Sequence, residues 1–208
     1  YQVKVEWGWS GVVTPMRNGY TFTPEYQSHE DIRKAKTNQN FKHEILSYQI
    51  AGTTTVPQVK LILKGTKGLP RVITSGPDGA YSTKVNFDWN GTITPEKEGY
   101  DFSPADRKYT GLDADMLYES FDATLRKYTI SGDIVAERGP VEGATIITAL
   151  GSGIRAFTDE KGHFELEVDH GWEGQLSPVK EGYTFVPVNR KIMPVTMDRS
   201  GQGFKGTV

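Results

Sequence analysis

Cysteine is absent from this 208-residue chain. That excludes disulfides, thiolate zinc sites and thiol catalysis, and leaves stability to packing alone. Long apolar runs are missing too: no segment approaches the roughly 20 apolar residues that span a bilayer, so no membrane insertion is expected. Neither sign of charge dominates, with 24 Lys and Arg against 26 Asp and Glu and a formal net charge of −2. A chain so balanced has no basic face for nucleic acid, and Arg33-Lys34-Ala35-Lys36 reads as a solvated loop. The four histidines, at 29, 43, 163 and 170, show no metal-ligand spacing. Nucleophile elbows and phosphate loops are likewise missing, so no catalytic residue and no cofactor is expected. Gly, Pro, Tyr, Thr and Val, in contrast, are abundant, which predicts an all-β chain of short strands and turns.

The main positive feature is an internal repeat. Trp9, Gly11, Pro15, Gly19, Tyr20, Phe22 and Pro24 recur as Trp89, Gly91, Pro95, Gly99, Tyr100, Phe102 and Pro104, and again as Trp172, Gly174, Pro178, Gly182, Tyr183, Phe185 and Pro187. The second copy opens with Tyr48-Gln49-Ile50-Ala51-Gly52 and the third with Tyr128-Thr129-Ile130-Ser131-Gly132, whereas Tyr1 already aligns with Tyr81 and Phe164. The expected organisation is residues 1–45 as the C-terminal part of a first module, 46–126 as a second and 127–208 as a third. The equivalent of Tyr48 through Ala80 has no counterpart in the first copy.

Alternation predicts a half-buried strand running into each shared tryptophan: Val3, Val5, Trp7 and Trp9, then Thr83, Val85, Phe87 and Trp89, then Leu166, Val168, His170 and Trp172. Residues 58–64 and 143–149 read as core strands. Pro77-Asp78-Gly79 and Asp159-Glu160-Lys161-Gly162 read as hairpin turns. Pro-x-x-x-Gly-Tyr-x-Phe-x-Pro reads as a glycine turn delivering two aromatics, followed by a last strand holding Phe41, Phe121 or Phe204. Roughly seven short strands per copy fit an antiparallel sandwich. The junction Ala123-Thr124-Leu125-Arg126-Lys127-Tyr128 has no flexible linker composition, which predicts a stiff rod.

Three segments in order, Tyr128-Thr129-Ile130-Ser131-Gly132, residues 158–164 and Pro178 through Pro187, resemble the carboxypeptidase-regulatory-like and transthyretin-like β-sandwich repeats of secreted bacterial proteins, related to collagen-adhesin B-type modules. The resemblance implies tandem Ig-like or transthyretin-like sandwiches, the first incomplete. Members serve as spacers, adhesive arms and enzyme appendages, so function rests on sites. Arg107 and Arg190 follow Phe-x-Pro as that pattern often has it, but the first copy has Gln27 there, so no function attaches to the position. Some B-type modules form Lys–Asn or Lys–Asp isopeptide bonds beside a buried acid; Gly11, Gly91 and Gly174 stand where that acid is usual, which argues against one.

Each candidate site has a structural reading beside it. Trp9, Trp89 and Trp172, with Tyr20, Phe22, Tyr100, Phe102, Tyr183 and Phe185, recur at inward positions and read as structural core in preference to sugar platforms. His170 reads as a structural histidine on that face. Asp113-Ala114-Asp115 begins like a calcium loop, but Leu117, Tyr118 and Thr124 occupy ligand or glycine places; Asp113, Asp115 and Asp159 are the weak calcium candidates. Asn90-Gly91-Thr92 is a chance glycosylation triplet, since Ser10 and Glu173 replace its asparagine elsewhere.

The incomplete first copy leaves a face of Trp7, Trp9, Val13 and Phe41 in need of cover. Either the sequence is a piece of a longer protein that supplies the missing strands, or a second polypeptide adds them. Both accounts lead to a non-catalytic, extracellular or cell-surface structural array, whose partners are other domains or neighbouring subunits met at sheet edges. The alternative is a carbohydrate- or ligand-binding accessory array of a secreted enzyme, for which Tyr26, Tyr109 and Tyr118 are the available loop aromatics.

Overall fold

A computed structural model describes residues 1–148 and 153–208. Every regular element among them is a strand. No helix is long and apolar enough to cross a membrane.

The first repeat contributes β1 (Trp9–Val13), β2 (Tyr20–Thr23), β3 (Gln27–Ile32) and β4 (Lys42–Ile45). The second contributes β5 (Ser47–Thr53), β6 (Lys60–Gly65), β7 (Arg71–Thr74), β8 (Ala80–Asn86), β9 (Trp89–Glu96), β10 (Tyr100–Ser103), β11 (Arg107–Leu112) and β12 (Asp122–Leu125). The third contributes β13 (Lys127–Ala136), β14 (Gly139–Pro140), β15 (Thr145–Ile147), β16 (Arg155–Phe157), β17 (His163–Asp169), β18 (Gly174–Val179), β19 (Thr184–Val186), β20 (Arg190–Ile192) and β21 (Phe204–Thr207). Two compact units result: Tyr1–Glu96 with Phe102–Ala123, and Lys97–Asp101 with Thr124–Val208.

In the first unit, β8 pairs with β5, beside which the Met116 and Phe121 backbones form parallel bridges to Ile50 and Thr54. The opposing sheet runs β11-β9-β6-β7. Alternation on these strands turns one face of each sheet inward. Ile50, Tyr81, Val85 and Phe121 from one sheet meet Leu61, Leu63, Ile93, Tyr109 and Leu112 from the other, which makes a sandwich core. The second unit repeats the plan, with β14-β13-β21-β19 and β17 on one side and β16-β15-β18-β20 on the other. Ile130, Ile146, Phe164, Leu166, Leu176 and Phe204 sit at its centre.

The first repeat forms only two ribbons, β1 with β3 and β2 with β4. None of its side chains belongs to a buried core. Residues 1–6 occupy the place of β8, but the equivalent of β5 has no counterpart, and the segment forms no strand. Val3, Val5 and Trp7 are 56%, 39% and 74% exposed, whereas Val85, which aligns with Val5, is 7% exposed.

Two local readings change. The strand expected to run through each tryptophan is broken just before it, at Gly8, Asp88 and Gly171, all with φ between 62° and 80°. β8 ends there and β9 starts in the other sheet, because a left-handed residue turns the chain across the sandwich. Likewise the Gly79 and Gly162 turns are corners and not hairpins: β7 pairs with β6, and β8 with β5.

Candidate functional site

The shared motif can be rebuilt from its residues. Each tryptophan ring folds back over the glycine two places on, so that a Cβ at Gly11, Gly91 or Gly174 would fall inside the ring of Trp9, Trp89 or Trp172. This accounts for Trp-x-Gly: residues two apart on a strand share a face, and only glycine leaves room. The tryptophans are half-buried at the rim, with Trp89 and Trp172 packed against their cores.

The next motif is a type II turn. Tyr20, Tyr100 and Tyr183 donate N–H to the carbonyls of Arg17, Lys97 and Lys180 at 3.2 Å, and Gly19, Gly99 and Gly182 hold φ near 77–79°. Tyr20, Phe22, Tyr100, Phe102 and Tyr183 are half-buried, while Phe185 is buried. The prolines after Phe-x follow cis peptide bonds in all three copies.

The turn glycines differ in what covers them. In the first unit Gly19 is buried under the Phe87 ring, which leaves no room for a Cβ. The Leu46 N–H donates to the Gly19 carbonyl at 2.8 Å and the Phe87 N–H to the Leu46 carbonyl at 2.8 Å. In the second unit Gly99 lies under the His170 ring with the same relay: Arg126 N–H to the Gly99 carbonyl and His170 N–H to the Arg126 carbonyl, both 2.8 Å. An Arg126–Asp101 ion pair at 2.8 Å and a Tyr128–His170 ring contact at 5.9 Å flank it. His170 is thus half-buried, its Nδ1 enclosed without a hydrogen-bond partner among the described residues. Gly182 is exposed, with nothing within 4 Å of where a Cβ would lie.

Beside the Gly19–Phe87 contact lies an open cleft of about 580 Å³, lined by Arg17, Asn18, Tyr20, Asn86, Asp88 and Trp89 among others. The Arg17 guanidinium sits 4.1 Å over the Tyr20 ring. Asn90, also on the wall, is held by the backbones of two other residues: its Nδ2 donates to the Asp88 carbonyl at 2.7 Å and its Oδ1 accepts from the Gly111 N–H at 3.0 Å.

The position after Phe-x-Pro has one role in three copies. Arg107 donates to the Ser120 carbonyl at 2.7 Å, Arg190 to the Gly203 carbonyl at 2.8 Å, and Gln27 to the Asn40 carbonyl at 3.0 Å. Each acceptor directly precedes the phenylalanine of the last strand, so the side chain clamps that strand. Arg107 and Arg190 also lie 5.5 Å over Phe121 and Phe204. In the second repeat Glu119 joins in, pairing with Arg107 at 3.2 Å and accepting from the Tyr109 hydroxyl at 2.9 Å; the Tyr81 hydroxyl donates to its backbone carbonyl. Burial first, then the Glu119 carboxylate, pushes the Tyr81 phenol up to about 12 and Tyr109 higher still.

The weak calcium candidates do not converge. Asp115 accepts the Gln49 N–H at 2.7 Å, as Asp198 accepts that of Thr129 at 2.9 Å. Asp159 caps its turn, accepting the N–H groups of Lys161 and His163 at 2.9 and 2.8 Å, which holds its carboxyl below the usual range. Asp113 is exposed. No three His, Asp or Glu side chains among the described residues are placed to share a metal. Of the loop aromatics, Tyr109 is only 8% exposed and belongs to the core, whereas Tyr118 is 89% exposed. Trp7 is exposed and carries the Arg33 guanidinium 4.6 Å over its ring, while Trp9, Val13 and Phe41 are half-buried.

Two antiparallel sheets packed face to face, with a core between them, define the complete repeats as β-sandwiches. Among solved structures, the Bacillus anthracis TIE protein shares this architecture with a TM-score of 0.65, at 12% identity over 95% of this chain and 42% of that one. GBS52, a minor pilin of Streptococcus agalactiae, aligns at a TM-score of 0.34 and 10% identity over 77% of this chain and 97% of that one. A curated relative, chitinase ChiA of Flavobacterium johnsoniae, is 27% identical over 149 residues, which are 68% of this chain and 9% of the chitinase. No family model matches. The chain therefore spans less than half of the TIE chain and under a tenth of the chitinase.

Proposed function

We propose that this chain is a non-catalytic structural array of a secreted or cell-surface bacterial protein, with modules at residues 1–45, 46–126 and 127–208. The observation that carries the reading is the twice-repeated contact of a ring on a turn glycine, Phe87 on Gly19 and His170 on Gly99, each with the same two-bond backbone relay. A linker of one residue, Leu46 or Arg126, hydrogen-bonded on both sides, restricts bending far more than a flexible connector does. Limited proteolysis and solution scattering test it. Chains with Gly19→Val and Gly99→Val should become cleavable near residues 45–47 and 124–128 and should scatter as more variable particles. Equal resistance of wild type and variants removes the reading.

Strands equivalent to β5–β7, from a longer parent or from another copy, cover the first module's face in this proposal. Adding a peptide of the β5 sequence should then protect residues 1–45 from protease. A second reading, an accessory segment of a secreted enzyme, is favoured by one observation, the likeness to a chitinase. Identifying the chain as part of a larger enzyme in the native protein decides it.

A further inference from the structure

We infer that the cleft beside Gly19 and Phe87 is a binding site for a neutral oligosaccharide, which deepens the accessory-segment reading by giving it a site. The cleft breaks the repeat. Asn18, Asn86 and Asn90 stand on its wall where the corresponding region of the second unit has Glu98, Asp169 and Glu173, and Asp88 stands where Gly171 does. Packing does not require the change, since the same turn and relay form with the acidic set.

The amides alter the chemistry. A carboxylate only accepts hydrogen bonds, whereas an amide donates and accepts at once, as sugar hydroxyls do. The Asn18 and Asn86 side chains are exposed and make no hydrogen bond among the described residues, so their full capacity faces outward. The half-buried rings of Tyr20 and Trp89 on the same wall offer apolar surface for the C–H face of a pyranose. Tyr20 is held by the Arg17 guanidinium 4.1 Å over its ring and by the His43 ring 5.6 Å away, which fixes a ring that would otherwise have to be ordered on binding. At about 580 Å³ the cleft falls within the usual range for small-molecule sites, and its openness at the surface suits a chain segment in place of an enclosed monosaccharide. Asp88 shares the wall with Arg17 and Lys67, so the amides and not the charge carry the choice of a neutral sugar.

The experiment is isothermal titration of the full chain with cellohexaose and with chitohexaose, with a hexauronate as the charged comparison. At least one neutral hexasaccharide should bind, with Kd from about 10 μM to 1 mM. The double substitution Asn18→Glu and Asn86→Asp, which installs residues the second unit already tolerates, should weaken it about tenfold or more with an unchanged melting temperature. Asp88→Gly, which suits the left-handed backbone there, should weaken binding severalfold and covers the case in which the double variant is destabilised. Silence with both neutral sugars overturns the site, as do binding indifferent to these substitutions and binding of the hexauronate alone. None of those failures overturns the accessory-segment reading itself, which is decided separately by identifying the chain as part of a larger enzyme in the native protein.

Discussion

The first and second repeats carry the same motif residues and meet different fates. In both, tryptophan covers the glycine two places on, the tyrosine N–H closes the same turn at 3.2 Å, and a side chain after Phe-x-Pro clamps the last strand. Yet Ile93, Phe121 and Val85 are buried in the second repeat, while no side chain of the first reaches a buried core. The difference is β5, β6 and β7, which supply Ile50, Leu61 and Leu63 to the second repeat's core. Turns and clamps form from contacts within about twenty residues, whereas burial needs a second sheet. The motif's local geometry thus forms without a buried core of its own.

The largest effect should separate the two repeats through their last-strand phenylalanines. Phe121→Ala removes a fully buried ring and should cost about 3–5 kcal/mol in urea unfolding. Phe41→Ala, on a half-buried ring against Tyr1, should cost about 1 kcal/mol or less. Comparable losses would mean that the first repeat has a core of its own.

Next come the turn glycines. Valine at Gly19 or Gly99 must both adopt positive φ and displace a ring, and should cost roughly 3 kcal/mol or more, whereas Gly182→Val meets open space and should cost about 1–2 kcal/mol from the backbone alone. Thermal melts of the three variants rank them.

The clamp sharpens the comparison between second and third repeats. Arg107→Ala leaves Glu119 without its cation as well as the Ser120 carbonyl without its donor, and should cost about 2–3 kcal/mol; Arg190→Ala loses the carbonyl and Phe204 ring contacts but no ion pair and should cost about 1 kcal/mol. Double-mutant cycles with Glu119→Gln test the excess.

The smallest effect depends on pH. His163 hydrogen-bonds Asp133 at 2.7 Å and lies 3.6 Å from Glu165, which raises its imidazole above the ordinary 6.5. The stability it contributes is therefore fully present below about 6.5 and is lost as pH rises through the raised value. Both partners are solvent-exposed, so the slope should be slight and should vanish in His163→Gln. The second repeat has Ala80 at this place and should show no such slope. Denaturation at pH 5.5 and 8 compares them.

Much of the architecture was readable from spacing. The recurrence of Trp9, Gly19, Tyr20 and their partners predicts three copies, and alternation in Tyr81-Ser82-Thr83-Lys84-Val85 predicts the buried face of β8. Other features were not. Asp88 conceals a left-handed residue that Gly8 and Gly171 display, so the strand seemed continuous. Gln27 looked like an exception to Arg107 and Arg190 because the shared carbonyl acceptor lies 13 residues on, in another strand. Tyr109 reads as a loop aromatic, but it lies at an inward position of β11, its ring in the core and its hydroxyl on Glu119. The cleft joins residues 17–20 to 86–90, segments that only folding brings together.

Sequence alone determined the strand class and the Gly-Tyr turn of the repeated motif, because periodicity two and a left-handed glycine act over a few residues. Tertiary structure decided which side chains are buried, what each turn glycine supports and where a cleft opens. Those properties depend on which surfaces meet, and surfaces meet across sheets whose pairing no local pattern encodes.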